Sequence, residues 1–260
     1  MALMRCDFFS EVLGLSTSMT VILPQKAAGH IGSGGAIGAG PPPVLYLLHG
    51  LSDDDTAWVR RTSIERYVEP LGLAVVMPQV HKSFYSDAVH GLPFWTYLTQ
   101  ELPAIVQQFF RVSPRPEHTF VAGLSMGGYG AMKWALREPW RFGAAASLSG
   151  ALAVSHPSPM ADPEFARIMH QVFDEGPTDG THDDVLHLLQ SADPAMLPPL
   201  YVSCGTEDFL FRANEYFLGL AAQREINVTA DIRPGDHDWD YWDAGIQRVL
   251  GWLPLAERTH

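Results

Sequence analysis

Apolar residues along the chain fall into two rhythms. Short apolar runs of strand length occupy residues 44–48, 74–77, 119–122, 144–148, 200–204 and 228–232. Continuous runs such as 44–48 suit central parallel strands covered on both faces. Longer stretches between them read as helices: 62–69, 94–110 with Pro103 disturbing its middle, 127–137 closed off by Pro139, and 214–224. Strands that alternate with helices imply a mostly parallel sheet wound by right-handed crossovers, with helices on both faces. Two further runs, 3–9 and 18–23, flank a turn around Gly14 and predict an antiparallel pair at one edge.

Two stretches break the rhythm. Residues 29–43 are rich in glycine and proline and predict a flexible loop. They do not make a dinucleotide cradle: after Gly32 and Gly34 the last position of the fingerprint holds Ile37, and prolines follow instead of a helix. Residues 154–197 carry polar helical pieces at 163–173 and 183–190, and predict a lid inserted into a single domain spanning 1–260.

Composition narrows the function classes. The 260 residues hold 17 Lys and Arg against 29 Asp and Glu, a net charge of −12. Such a surface repels polyphosphate and anionic lipid, so neither nucleic acid nor membrane is an expected partner. No apolar run approaches the roughly 18 residues of a span, and Arg5, Asp7 and Glu11 interrupt any signal-peptide core. With only Cys6 and Cys204, a disulfide framework is excluded and a reducing, cytoplasmic location is expected.

Chemistry concentrates at Gly123-Leu124-Ser125-Met126-Gly127, a G-x-S-x-G placed between a predicted strand and a predicted helix. That context is what a nucleophile elbow needs: the turn is too tight for side chains two residues either side of the serine. At the helix N-terminus, free N–H groups and the helix dipole favour the negative charge that develops there. A serine hydroxyl needs a base, and the base needs an orienting acid. His237, after the last predicted strand, is the expected base among eleven histidines. Asp208, four residues beyond the 200–204 run, is the expected acid, with its neighbour Glu207 as competitor. Two backbone donors are expected to hold the oxyanion, each worth ~3–4 kcal/mol. One is the N–H of Met126, and the other the N–H of Leu51 in the His49-Gly50-Leu51 turn after an early strand. His49 itself is expected to orient that loop.

The His49-Gly50-Leu51 turn, Ser83-Phe84-Tyr85, Glu101-Leu102-Pro103, residues 123–131, residues 204–208 and Gly235-Asp236-His237-Asp238-Trp239 together resemble the tributyrin esterase branch of the esterase D-like α/β-hydrolases. The likeness runs from about residue 3 to residue 250. It implies an α/β-hydrolase fold and a carboxylesterase acting on small, short-acyl esters through an acyl-enzyme, with Ser125, Asp208 and His237 as triad and no cofactor. Relatives in that family include S-formylglutathione hydrolases, feruloyl and acetylxylan esterases and mycolyltransferases, and they often associate, so a homo-oligomer is open. The glutathione branch usually has Thr-Cys shortly after the oxyanion turn, where this chain has Asp53-Asp54. That departure, and poor steering of an anionic substrate by an acidic protein, speak against the glutathione thioester.

Alternatives on the same fold are an acyltransferase and, further off, a non-catalytic binding module. Trp58, Trp95, Phe209 and Trp239 fall in segments expected at the catalytic edge and are candidates for pocket walls. No metal is expected: there is no H-E-x-x-H or paired cysteine spacing, and the Asp53–Asp55 run lacks the remainder of a calcium loop.

Overall fold

Strand continuity is set by burial. In the computed structural model, which describes residues 1–25, 40–155, 163–174 and 179–255, β1 (Ala2–Ser10) and β2 (Leu15–Leu23) form an antiparallel hairpin. Burial alternates along β1, as expected of an edge strand with one face in water. β3 (Val44–Leu48) follows, and after it two short helices, α1 (Ala57–Arg61) and α2 (Ile64–Val68). Both β3 and β4 (Ala74–Pro78) are buried at every position, the signature of strands covered on both faces.

α3 (Phe94–Thr96) runs through a widened π turn at Tyr97–Glu101 into α4 (Leu102–Phe109). Pro103, which has no N–H to give to the helix, sits in the first turn of α4, just past the π turn. The disturbance expected there is therefore this wide turn, and not a break. β5 (Thr119–Leu124), α5 (Met126–Arg137) and β6 (Ala144–Leu148) come next. α6 (Pro163–Phe173) and α7 (Val185–Ser191) precede β7 (Leu200–Gly205), and α8 (Phe211–Gln223), β8 (Val228–Arg233) and α9 (Trp239–Trp252) follow.

Among the described residues, eight strands lie in the order β1-β2-β4-β3-β5-β6-β7-β8, antiparallel at the hairpin end and parallel from β4 onward. This is an α/β-hydrolase sheet. One apolar core joins α4, α5, α7 and α8 to one face of the sheet, and a second joins α1, α2 and α9 to the other. Strand order reverses around β3 and β5, so the crevice beyond their carboxyl ends is the place where an open α/β sheet binds ligands.

α1 and α9 were not anticipated by the sequence reading. The expected insertion divides in two: Val185, Leu186 and Leu189 of α7 are buried with α5 and α8, while α6 and Val154 border the cavity described below. Of the expected loop 29–43, residues 29–39 lie outside the described residues; residues 42 and 43 lead into β3, with Pro42 O accepting from Ser113 N–H at 2.8 Å. No helix among the described residues is long and apolar enough to cross a membrane.

Within the first core, Lys133 of α5 is completely buried. Its ammonium donates to Ser86 Oγ at 2.6 Å, Asp183 Oδ1 at 2.9 Å and Phe84 O at 3.3 Å. Burial pushes its pKa down to about 8, against the opposing pull of Asp183. These bonds fix residues 84–86, and Tyr85 Oη in turn donates to His49 O at 2.8 Å, so the turn after β3 is anchored from below.

Candidate active site

Ser125 directly follows β5 and precedes the first residue of α5 with φ 53° and ψ −116°, a conformation that costs a non-glycine residue ~1–3 kcal/mol. Surrounding bonds hold it there. Its N–H donates to Leu148 O at 2.9 Å, and its carbonyl accepts from Tyr129 N–H at 3.0 Å and Ala151 N–H at 3.1 Å. The flanking glycines are required by close approach: a Cβ on Gly127 would lie 2.4 Å from Leu48 O and 2.7 Å from His49 O, both backbone atoms. Gly127→Ala is therefore expected to push α5 away from β3, lowering stability by about 1–3 kcal/mol, read as a reduced midpoint of urea unfolding. An unchanged midpoint would contradict this packing.

The chain end of β7 meets that of β8 so tightly that a Cβ on Gly205 would stand 2.0 Å from Gly235 O. This contact brings Asp208, just past β7, to His237, just past β8. His237 Nδ1 lies 2.9 Å from Asp208 Oδ2 and 3.0 Å from Oδ1, and His237 Nε2 lies 3.0 Å from Ser125 Oγ. With Nδ1–H donating to the carboxylate, Nε2 is left to accept the serine proton. Burial pushes the Asp208 carboxyl up, but the hydrogen bonds from His237, Ser149 and Leu210 N–H and the charge of His237 outweigh it and hold it below the ordinary carboxylate range. The competitor Glu207 faces elsewhere, accepting from Gly235 N–H at 2.5 Å and Thr206 Oγ1 at 2.8 Å.

The imidazole is gripped by two rings. Trp242 stands edge-on at 4.8 Å between centroids, and Phe209 lies tilted at 4.4 Å. Trp242 Nε1 donates to Ser149 Oγ at 3.0 Å, so one indole orients both the imidazole and the hydroxyl that supports Asp208. Neither Ser149 nor Trp242 was found by sequence reasoning. Ser149 lies in no motif, and its only unusual trait, a φ of 49°, is invisible in sequence; Trp242 belongs to the unanticipated α9.

Met126 opens α5, so its N–H is among the donors a helix leaves without an internal partner. Leu51 lies in the turn after β3 and, like Met126, lines the cavity that contains Ser125 and His237. His49 is buried beneath this turn, with Nδ1 donating to Gly50 O at 2.7 Å and Nε2 accepting from Val80 N–H at 3.3 Å. Burial lowers its pKa, consistent with a neutral ring used as a brace.

The cavity measures about 1500 Å³ and is walled mainly by apolar side chains, among them Phe84, Phe165, Met169, Trp239 and Trp242. Phe209 and Trp239 belong to its lining. Trp58 and Trp95 do not, correcting the expectation for both. Trp58 is buried in α1, where Nε1 donates to Leu48 O at 3.1 Å and the ring supports Trp239 edge-on from behind. Trp95 is buried in α3, with the Arg137 guanidinium 4.1 Å above its ring. Their helices turn these rings inward to fill the two cores.

Comparison with known proteins shows the family. The Esterase family model matches residues 10–253. An acetyl esterase of Caldicellulosiruptor saccharolyticus is 27% identical over 97% of this chain and 98% of its own. Among solved structures, the fluorophosphonate-binding serine hydrolase F of Staphylococcus aureus superposes with a TM-score of 0.87 at 32% identity, covering 97% of this chain and 98% of that one. An S-formylglutathione hydrolase from Staphylococcus aureus does so with a TM-score of 0.83 at 33% identity, over 97% and 98%. The chain therefore belongs to the Esterase family and is a carboxylesterase built on the α/β-hydrolase fold.

Proposed function

We propose that the protein hydrolyses small carboxylic esters with short acyl groups, in the manner of the tributyrin esterase branch, with Ser125, His237 and Asp208 as its triad. The observation that carries this reading is the unbroken relay of Ser125 Oγ, His237 and Asp208 at 3.0 and 2.9 Å. In the first half-reaction Ser125 Oγ attacks the ester carbonyl carbon and its proton passes to His237 Nε2. The N–H groups of Leu51 and Met126 take up the oxyanion. Collapse of the tetrahedral intermediate expels the alcohol, which carries away the proton from His237. Water, deprotonated by the same nitrogen, then attacks the acyl-serine and releases the acid.

The whole chain acts as one domain, and within the 154–197 insertion the role of lid falls to α6, which lines the cavity, while α7 belongs to the body of the fold. The acetyl esterase relative supports a small acyl group, which leaves the greater part of the cavity for the alcohol portion. The apolar walls and the net charge of −12 argue against a glutathione thioester, whose peptide is anionic. Free Cys6 and Cys204 accord with a reducing compartment, the cytoplasm.

The test is a series of p-nitrophenyl esters of rising acyl length. The kcat/KM is expected to be greatest at two to four carbons; a maximum at eight carbons or beyond would overturn the short-acyl reading.

A further inference from the structure

On the outer end of α6, away from the triad, two imidazoles and a carboxylate converge. His170 lies in the last turn of α6, Asp174 directly follows that helix, and His90 comes from the segment between β4 and α3. His90 Nε2 stands 3.0 Å from Asp174 Oδ1, and His170 Nδ1 stands 3.6 Å from the same oxygen. The two imidazole centroids are 5.2 Å apart, and one ligand atom from each of the three residues fits within 4.8 Å of the others. We propose that His90, His170 and Asp174 form a binding site for a divalent late transition-metal ion, with zinc as its representative.

Geometry and donor chemistry both favour this assignment. A tetrahedral zinc ion with bonds of about 2.0–2.1 Å holds its donors roughly 3.3–3.5 Å apart, and the two measured separations, 3.0 and 3.6 Å, bracket that value. Two imidazoles with one carboxylate suit zinc, nickel or copper, whereas calcium and magnesium call for oxygen donors. His170 and Asp174 are four residues apart along the helical path, which puts both donors on one face. The third donor is positioned by backbone: Val89 N–H donates to Val172 O and His90 N–H to Gln171 O, each at 3.0 Å. Each side chain is about half exposed, at 51%, 55% and 48%, so an ion has access and a fourth position remains for water. His90 is remote in sequence from the other two, which is why spacing motifs do not reveal the set.

An ion here would fasten the C-terminal end of α6 to the segment before α3. The N-terminal end is already tied there by Lys82 Nζ to Glu164 Oε1 at 2.6 Å, and the Phe84 ring meets both ends of the helix at Phe165 and Phe173. Because α6 contributes Phe165, Ala166 and Met169 to the cavity, the ion would stiffen one cavity wall without touching the reacting atoms.

The experiment is calorimetric titration of the tag-free, chelator-stripped full chain with zinc chloride, and in parallel of H90A, H170A and H237A. One ion per chain is expected in the unaltered protein and in H237A. Affinity should fall at least about 10- to 100-fold in H90A and H170A, the loss already typical of removing a group that merely supports a metal ligand. Cobalt(II) gives a second readout, since its visible absorption should show a four-coordinate ion in the unaltered protein and lose that signature in H90A and H170A. The two positions are exposed and outside the reactive centre, so metal-free hydrolysis of p-nitrophenyl acetate by these variants should match the unaltered rate and report correct folding. The absence of zinc binding to the unaltered protein, or equal affinity in H90A and H170A, would overturn the site.

Discussion

Ser125→Ala is expected to lower kcat for a short-chain p-nitrophenyl ester by about a million-fold while leaving the fold intact. The nucleophilic oxygen is the only group removed. Its backbone is held by bonds to Leu148, Tyr129 and Ala151 that involve main-chain atoms alone, and alanine at the same φ meets the same strain that serine already bears. The residual rate comes from binding and the oxyanion donors, which cannot replace a covalent path. Steady-state turnover, paired with labelling by a fluorophosphonate probe, checks the point: the unaltered protein should react at this one serine and the variant should not. A variant that turns over within tenfold of the unaltered rate would remove Ser125 from the mechanism.

The second large effect is expected at the acid. Asp208→Asn should reduce kcat by roughly ten-thousand-fold, whereas Glu207→Gln should change it little. The asparagine amide can donate toward Nδ1, which favours the tautomer with its proton on Nε2. That nitrogen then cannot accept from Ser125 Oγ although it still lies near 3.0 Å away. Glu207 meets only Gly235 N–H and Thr206, so loss of its charge disturbs the loop and not the imidazole. Turnover numbers for the two variants, with circular dichroism to confirm folding, separate the roles. Equal losses in both would refute the assignment of Asp208.

Much of this arrangement is legible in sequence because it rests on short-range necessity. Buried parallel strands need unbroken apolar runs, and β3 and β4 have them. The elbow between β5 and α5 needs glycines two residues either side of Ser125: a side chain on Gly127 would strike the backbone of residues 48 and 49, and one on Gly123 would strike the backbone of Gly127. Asp208 and His237 could be picked out because each follows directly on a strand. What was not legible depends on the rotation of a helix about its own axis. Trp58 and Trp239 touch each other at 5.3 Å, yet α1 turns the first into the core and α9 leaves the second at the cavity. The support of Asp208 by Ser149, and of Ser149 by Trp242, joins β6 to α9 across the sheet end, a meeting that no local pattern encodes. α7 reads as polar, yet its buried Val185, Leu186 and Leu189 join it to the body of the fold.

The proposed triad hangs from the ends of β5, β7 and β8, whereas α6, in the excursion between β6 and β7, supplies part of the cavity wall. Bond-making and selectivity thus sit on separable lengths of polypeptide. Lengthening, trimming or grafting that excursion can retune which esters are admitted while the catalytic atoms stay in register, which makes it the first place to redesign when a different acyl or alcohol group is wanted.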